Sequence, residues 1–410
     1  MTARETNWAG NIVYRAARVA RPRSVSEAQE LVAANSQVRA VGTGHSFNRI
    51  ADTPGVLISL ADLPPVVDIG PGTSATVAAG VRYGELGEQL NAAGYALPSM
   101  ASLPHISVAG AVATATHGSG DAQGNLATIV SGLELITADG GLRTVRRDTG
   151  GEEFRGCVVG LGSLGLVTAL TLDLVPAFTV RQYVYEGLPA AMLHSHFDEI
   201  FGSAYSVSVF TNWRGDRHGQ LWLKVREGER DGWQPALRWM DATLADRQLH
   251  PVPGGDPDHA TQQLGVPGPW QERLPHFRAG FTPSSGAELQ SEYLVPRQVA
   301  AGAFDALASL GSLMAPVLQI AEIRTVAPDD LWLSPSFQRD TAVTPVIAAM
   351  EHLLTPLGAR PHWAKVFGMP PHVVRALYPR SADFQDLLSR YDPDGKFRNG
   401  FIDKYFPSRH

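Results

Sequence analysis

A short loop near the N-terminus has the composition of a phosphate-binding turn. After the apolar run 38–41, the chain continues Gly42-Thr43-Gly44-His45-Ser46-Phe47. The two glycines let the backbone adopt positive φ angles and approach a ligand with no Cβ in the way. This composition favours a bound phosphate, whereas His45 taken alone could be an ordinary loop histidine.

Two further segments are rich in small residues. The run 103–120 carries almost no charge, and 160–165 reads Gly160-Leu161-Gly162-Ser163-Leu164-Gly165. The second has the G-x-G-x-x-G spacing, but it precedes a strand instead of joining a first strand to a helix, so it does not indicate a nicotinamide site. The sequence also contains no Walker motif and no H-E-x-x-H helix.

Three charged residues could act on a substrate. Glu322 and Arg324 alternate along a predicted strand, which directs both side chains to one face. Lys365 follows Trp363 in apolar surroundings. Each also has a structural interpretation, as an ion pair or as a lysine that extends to the surface. Cys157 lies in an apolar stretch and is interpreted as a core residue without a redox role.

The hydrophobic pattern predicts the elements that position these residues. A helix is expected over 26–35, capped by Ser26 with Gln29, and a second over 83–93, ended by Gly94. Strands are expected over 38–41, 56–60, 75–79 and 167–175. Asp139-Gly140-Gly141 predicts a hairpin between strands 133–138 and 142–146.

The length and the composition bound the classes of protein that are possible. A chain of 410 residues with 44% hydrophobic and 18% charged residues suggests a folded protein of two domains. A net charge of -6 argues against nucleic-acid and anionic-membrane partners. No signal peptide or membrane span is encoded, and a single cysteine excludes an intrachain disulfide, so we expect a cytoplasmic protein. A cluster of early arginines is interpreted as a solvated face: Arg15, Arg18, Arg21 and Arg23.

The composition changes after Pro176, because most of the tryptophans fall beyond this point. A domain boundary is therefore expected near this proline. The stretch 251–269 is rich in proline and glycine, which indicates an ordered excursion or a mobile loop.

The three small-residue segments together resemble the vanillyl-alcohol-oxidase type of FAD flavoprotein, and the resemblance covers nearly the whole chain. Within that family the chain is similar to the alditol oxidases and to the related sugar-1,4-lactone oxidases. The motifs that carry this second likeness are Glu322-Ile323-Arg324-Thr325, Asp330-Leu331-Trp332-Leu333-Ser334-Pro335, Pro361-His362-Trp363-Ala364-Lys365 and Tyr391-Asp392-Pro393-Asp394-Gly395-Lys396-Phe397.

The resemblance implies an α+β fold with two domains. An FAD-binding domain of two α/β subdomains is expected over 1–176, and an α+β substrate domain, or cap, over 177–385. Residues 386–410 are expected to return to the FAD domain.

The resemblance also assigns roles to residues. It implies FAD linked covalently through His45, no metal, and catalysis by Lys365, Arg324 and Glu322. Substrate would be bound by Glu322, Arg324, Thr325, Lys365 and Ser107. The cofactor would further be contacted by Gly42, Thr43, Gly44, Ser46, Phe47, Ser102, Ser107, Gly110, Thr114, Thr116, His117, Gly118, Gly162, Gly165 and Val167.

One departure from the family pattern affects the substrate side. In the alditol oxidases a strand with a histidine and an aromatic residue follows the segment 330–335. Here the residues after Arg339 run almost directly into a helix predicted over 345–354. The sequence therefore predicts that about one strand of the family pattern is missing, which leaves one substrate-side histidine unaccounted for.

The resemblance implies a monomeric oxidase that converts the terminal alcohol of an alditol to an aldehyde while O2 becomes H2O2. Two alternatives stay open. A sugar-1,4-lactone such as L-gulono- or D-arabinono-1,4-lactone could be the substrate, or the chain could bind flavin without catalysis. The preferred alditol and the oxygen reactivity are not fixed by the sequence.

Overall fold

A computed structural model describes residues 5–229, 234–281, 288–336, 341–343 and 347–408, with the backbone alone at 341–343. The described strands are β1 (Arg18–Ala20), β2 (Val38–Val41), β3 (Val56–Ser59), β4 (Val67–Ile69), β5 (Ser74–Ala78), β6 (Tyr95–Ala96), β7 (Val130–Ile136), β8 (Leu142–Arg146), β9 (Leu166–Asp173), β10 (Val175–Pro176), β11 (Thr179–Pro189), β12 (Ser206–Thr211), β13 (Arg217–Arg226), β14 (Arg238–Trp239), β15 (Ala242–Leu244), β16 (Gly268–Pro269), β17 (Tyr293–Pro296), β18 (Ala321–Val326), β19 (Thr341–Val343) and β20 (Arg360–Pro361).

The described α-helices are α1 (Val25–Ala34), α2 (Tyr83–Ala92), α3 (Val108–Ala113), α4 (Arg147–Val158), α5 (Ala190–Ser195), α6 (Phe197–Phe201), α7 (Ala300–Ser309), α8 (Gly311–Met314), α9 (Ile347–Leu354), α10 (Pro371–Leu377), α11 (Ser381–Tyr391) and α12 (Gly400–Tyr405). Within the described ranges, every helix is too short or too polar to cross a membrane. The mixture of helices and sheets confirms the predicted α+β class.

A small parallel sheet carries the glycine loop. Its order is β1-β3-β2, and β2 ends at Val41, directly before the loop. Helix α1 precedes β2, and its N-cap is Ser24, whose side chain accepts a hydrogen bond from the Glu27 amide at 3.1 Å. The prediction of Ser26 as the cap was wrong, because the helix begins two residues earlier, where the Glu27 carboxylate also accepts a hydrogen bond from the Arg23 amide.

A five-stranded antiparallel sheet packs beside the first one, in the order β4-β5-β9-β7-β8. The predicted hairpin between β7 and β8 is confirmed, with Ile136 paired to Leu142 and Gly140 at φ +87. Side chains from both sheets and from α1 form a common core that includes Ala28, Val32, Val38, Ile58, Ile136 and Leu166.

The largest sheet begins at Thr179 and has the order β14-β15-β11-β13-β12-β18-β19-β17-β20, with β16 added beside β11. A short strand does follow Arg339, since β19 lies between β18 and β17 in this sheet. It contains neither the histidine nor the aromatic residue of the family strand, so the predicted shortfall stays a prediction. It is only three residues long. Arg339 itself and the predicted helix start at 345 lie outside the described residues, and α9 is described from Ile347.

The C-terminal segment returns to the first sheet. The Val38 amide donates to the Lys396 carbonyl at 2.9 Å, and Asn399 Nδ2 donates to the carbonyls of Ile50 at 3.0 Å and Asp52 at 2.8 Å. The predicted domain limits at 176 and 385 stay predictions.

Arg39, in the middle of β2, joins four separate segments. Its guanidinium is buried and donates to the carbonyls of Leu161, Gly162 and Phe397 at 2.8 Å each, and also to that of Ile50. Burial lowers the pKa of Arg39 to about 10. The positive charge is thus stabilised by backbone dipoles from the second glycine segment, the chain end and the turn after the glycine loop.

We expect Arg39→Met to lower the free energy of unfolding by about 3–5 kcal/mol. Without the guanidinium, the buried backbone carbonyls that accept its hydrogen bonds are left without donors. Urea unfolding of the purified protein measures this change. Arg181→Met is the matched control, because its ion pair with Glu227 is about 40% exposed and should contribute less than about 1 kcal/mol. Equal effects of the two substitutions would contradict the role given to Arg39.

Candidate active site

Two adjoining cavities meet at the glycine loop. The larger has a volume of about 690 Å³ and the smaller about 380 Å³. Both are lined by the loop 41–44, Ser46, Ser107, Gly110 and Thr114. The larger cavity alone is also lined by Glu322, Arg324 and Lys365. The larger cavity therefore brings the residues predicted for the substrate together with part of those predicted for the cofactor, and the smaller cavity adjoins it at the glycine loop.

The glycine loop packs tightly on the start of α3. A Cβ placed on Gly42 would overlap Ser107 Oγ, and one placed on Gly110 would lie 2.9 Å from the same oxygen. Gly44 has a φ of +72, which favours glycine. A backbone this close to its neighbours, beside an open cavity, fits the phosphate-containing part of an FAD molecule.

His45 is half-buried on the wall of the larger cavity. Its Nδ1 lies 3.0 Å from Thr43 Oγ1, and its ring stacks on Trp8 with centroids 5.1 Å apart. Burial lowers the pKa of His45 to about 4, so its imidazole is neutral at neutral pH. A neutral ring keeps a lone pair on one nitrogen, which is the form that can attack an electrophilic carbon.

Most of the other cofactor residues predicted from the sequence line one of the two cavities. Gly162, Gly165 and Val167 line the smaller one, while Phe47, Ser102, Thr116 and His117 line the larger. Gly118 and Thr325 line neither. A Cβ on Gly118 would meet the Met100 carbonyl, so this glycine serves close packing.

Lys365 is held against the glycine loop by backbone contacts. The Phe47 amide donates to the Ala364 carbonyl at 2.7 Å, and Asn48 Nδ2 donates to the carbonyls of Trp363 and Lys365 at 2.7 and 2.8 Å. Lys365 Nζ lies 5.1 Å from the centre of the Phe47 ring. The lysine therefore faces the cavity beside the loop that carries His45.

Glu322 and Arg324 both face the cavity from β18, as their alternation predicted. Arg324 Nε lies 3.7 Å from Glu322 Oε1. Thr325 is on the opposite face of the same strand, where its hydroxyl is buried. The period of two residues that brings Glu322 and Arg324 together necessarily directs Thr325 away from the cavity.

Glu292 is a site residue that the sequence analysis missed. It is buried directly before β17, and its Oε1 lies 3.1 Å from Arg324 Nη2 and 2.5 Å from His117 Nε2. Its Oε2 lies 3.9 Å from Lys365 Nζ, which also donates to Gln290. One carboxylate thus contacts both predicted cations.

His276 is a second residue that was missed. Its Nε2 lies 2.7 Å from Glu322 Oε1. The His276 amide donates to the Ser102 carbonyl at 3.1 Å, and the Thr261 amide donates to the His276 carbonyl at 2.9 Å. The segment after the proline- and glycine-rich stretch therefore brings a histidine against Glu322 in the larger cavity.

The charges of the site are strongly coupled. Burial alone would raise the pKa of Glu322, but Arg324 and His276 outweigh it and lower the pKa to about 2. Burial is likewise outweighed at Glu292, where His117 and Arg324 hold the pKa well below its ordinary value. Burial lowers the pKa of Lys365, and Glu292 offsets part of that effect.

Little in the sequence distinguishes the two residues that were missed. An acidic residue immediately before the apolar strand β17 was the available signal for Glu292. His276 lies between Pro275 and Phe277, in a segment without periodicity. Among the described residues, no group of three or more histidine, cysteine, aspartate or glutamate side chains is arranged to hold a metal ion.

Comparison with known proteins gives consistent matches along the chain. Residues 16–146 match the family model described as FAD binding domain, and residues 287–405 match that of D-arabinono-1,4-lactone oxidase. The chain is 50% identical over 419 residues to an alditol oxidase of Streptomyces sp., with 98% of this chain and 99% of the relative covered. It is 28% identical to an L-gulono-1,4-lactone dehydrogenase of Mycobacterium tuberculosis, with 97% of each covered.

The fold is similar to that of cholesterol oxidase from B. sterolicum. The TM-score is 0.75 at 14% identity, with 98% of this chain and 96% of the other covered. At this level of identity the likeness supports the architecture alone.

Proposed function

The chain belongs to the family of FAD-dependent oxidoreductases that includes alditol oxidase, and from this premise we propose that it oxidises the terminal CH2OH group of an alditol to an aldehyde. The net reaction is RCH2OH + O2 → RCHO + H2O2. The observation that carries the proposal is the shared cavity, which brings Glu322, Arg324 and Lys365 to the glycine loop that holds His45.

The described residues fit FAD in two parts. The small-residue segments around Gly42, Ser107 and Gly162 would hold the phosphates and the adenosine, and the larger cavity would hold the flavin ring beside His45. When bound, FAD accepts a hydride from the alcohol carbon and passes the electrons to O2.

The protein must orient the alcohol and stabilise the charge that develops as its proton leaves. Lys365 Nζ and the Arg324 guanidinium are cations in a mostly buried cavity, where electrostatic interactions are stronger than in water. Glu322, an ionised carboxylate on the same wall, can accept hydrogen bonds from the other hydroxyl groups of a polyol. This division of roles supports a substrate with several hydroxyls.

We expect xylitol, sorbitol and shorter polyols such as glycerol to give aldehyde and H2O2 in equal amounts without added NAD. Simple monoalcohols should react poorly, because charged groups left unpaired in the site cost specificity. A peroxide-coupled screen of polyols, monoalcohols and 1,4-lactones measures this. A requirement for NAD, or turnover of lactones alone, would reject the alditol assignment.

The match of residues 287–405 to a D-arabinono-1,4-lactone oxidase model is the observation that favours a sugar lactone as the alternative substrate. The same screen separates the two. If reduced flavin in the protein reoxidised slowly in air and no polyol or lactone were turned over, the chain would instead be a non-catalytic flavin-binding protein.

We expect His45 to carry FAD through a bond from a ring nitrogen to the 8α-methyl group, because its neutral imidazole lies at the end of the glycine loop. After acid precipitation, the flavin colour should remain with the protein pellet. His45→Ala should release it to the supernatant. Wild-type flavin that is found wholly in the supernatant would exclude the covalent bond while leaving FAD binding itself intact.

Lys365→Met should slow anaerobic flavin reduction by about 10²- to 10³-fold, or roughly 3–4 kcal/mol, as expected when one preorganised charge is removed. Stopped-flow absorbance measures the limiting rate, and FAD content should stay normal. Exposed Lys404 provides the control, since Lys404→Met should change the rate less than about twofold. Glu322→Gln should instead raise the apparent substrate dissociation constant more than it lowers the rate. A near-normal reduction rate in Lys365→Met would remove this lysine from the mechanism.

We also propose that the protein is a monomer that acts in the cytoplasm on a small polyol. The net charge of -6 supports the expectation that it has no nucleic-acid partner. Gel filtration with light scattering at micromolar concentration tests the monomeric state.

A further inference from the structure

The hydrogen bonds of His117 leave no place for an unprotonated ring nitrogen. Its Nδ1 lies 2.8 Å from the Gly118 carbonyl oxygen, and its Nε2 lies 2.5 Å from Glu292 Oε1. A backbone carbonyl accepts hydrogen bonds and does not donate them. A neutral imidazole carries one proton, so with Nδ1–H directed at the carbonyl, a lone pair on Nε2 would face the Glu292 oxygen.

A further proton must therefore lie between His117 Nε2 and Glu292 Oε1. The charged groups around the pair decide whether the histidine or the carboxylate holds it. Glu292 Oε1 is 3.1 Å from Arg324 Nη2, and its Oε2 is 3.9 Å from Lys365 Nζ. Two cations beside a buried carboxylate strongly favour its ionised form. The proton consequently belongs on the ring of His117.

The other histidine–carboxylate pair of the site differs in this respect. His276 Nε2 donates to Glu322, whereas its Nδ1 finds no hydrogen-bond partner among the described residues. The rings of Phe210 and Trp222 pack against it, with centroids 5.4 and 5.3 Å away. One proton satisfies this ring, and burial lowers the pKa of His276 to about 4.

We propose that His117 is an imidazolium at neutral pH and that the pair it forms with Glu292 positions Arg324 and Lys365 in the cavity. Three cations, His117, Arg324 and Lys365, then face two carboxylates, Glu292 and Glu322. These five groups together carry one net positive charge. This positive charge would stabilise the negative charge that develops on the alcohol oxygen as its proton leaves. That consequence rests on the proposed function.

The pair also affects the protonation of Lys365. The charged and titratable groups that face this lysine are Glu292, Arg324, Glu288, Glu322, His362 and His45. Glu292 opposes the effect of burial on the pKa of Lys365 more than the other two carboxylates do. Loss of the Glu292 charge should therefore lower that pKa further, and the ammonium should lose its proton at a lower pH.

The protonation of His117 can be read without turnover. In the holoprotein labelled with [15N]histidine, we expect His117 to show two protonated ring nitrogens at pH 7.5, and His276 to show one. The loss of a signal in His117→Gln, and separately in His117→Asn, assigns it. In Glu292→Gln the His117 ring should become neutral. A wild-type His117 with one unprotonated nitrogen would overturn the proposal, whatever the substrate proves to be.

The positioning role is read from the pH dependence of anaerobic flavin reduction with the polyol that the screen identifies. In Glu292→Gln the alkaline decline of the limiting rate should move to lower pH by up to about one unit, because the lost carboxylate faces Lys365 directly, whereas the His117 charge that is lost with it does not. Glu227→Gln, on the exposed rim of the large sheet, should leave the profile unchanged.

A uniform slowing of Glu292→Gln at every pH, or no change at all, would overturn the positioning role. Failure of every polyol in the screen would reject the alditol function alone, since the NMR result does not depend on substrate.

Discussion

The site depends on three hydrogen bonds between the glycine loop and the segment that follows β20. The Phe47 amide and the Asn48 side chain donate to the carbonyls of Ala364, Trp363 and Lys365. The first bond of Asn48 joins residues 315 positions apart in the chain. Because two of the acceptors belong to the two residues before the lysine and the third is its own carbonyl, the Lys365 backbone cannot move relative to the loop without breaking them. The cofactor side and the substrate side are therefore one structural unit.

A second constraint comes from the burial of charge. A carboxylate withdrawn from water is tolerated when cations and hydrogen bonds replace its hydration, and removing one partner leaves the other uncompensated. Glu292 and Glu322 meet this requirement in the same way, each with one histidine and with Arg324, which lies between them. Such an arrangement contributes little net stability. The arrangement instead fixes the geometry of the site, because each charged side chain restricts the positions that its partner can adopt.

The parts of the fold and the site that could be predicted from the sequence are those with a local signature. The glycine loop, the hairpin at Asp139 and the alternation of Glu322 with Arg324 depend on neighbours within a few residues. Glu292 and His117 lie 175 positions apart, and no local period relates them. Strand β19 is shorter than the four residues that periodicity needs. Thr325 was predicted to bind substrate because it belongs to the family motif 322–325. The alternation of side chains along a strand instead directs it away from the cavity.

The return of the chain end to the first sheet also has a meaning for biosynthesis. Arg39 leaves the ribosome early, yet one of its acceptors is the carbonyl of Phe397, 358 positions later. Asn399 likewise donates hydrogen bonds to the carbonyls of Ile50 and Asp52, in the turn after the glycine loop. Early segments generally fold as they emerge from the ribosome. Here Arg39, in the wall of the smaller cavity, lacks its hydrogen bond to the Phe397 carbonyl until that late segment has been made. The cofactor pocket is therefore completed only once the segment that contains Phe397 and Asn399 has been made.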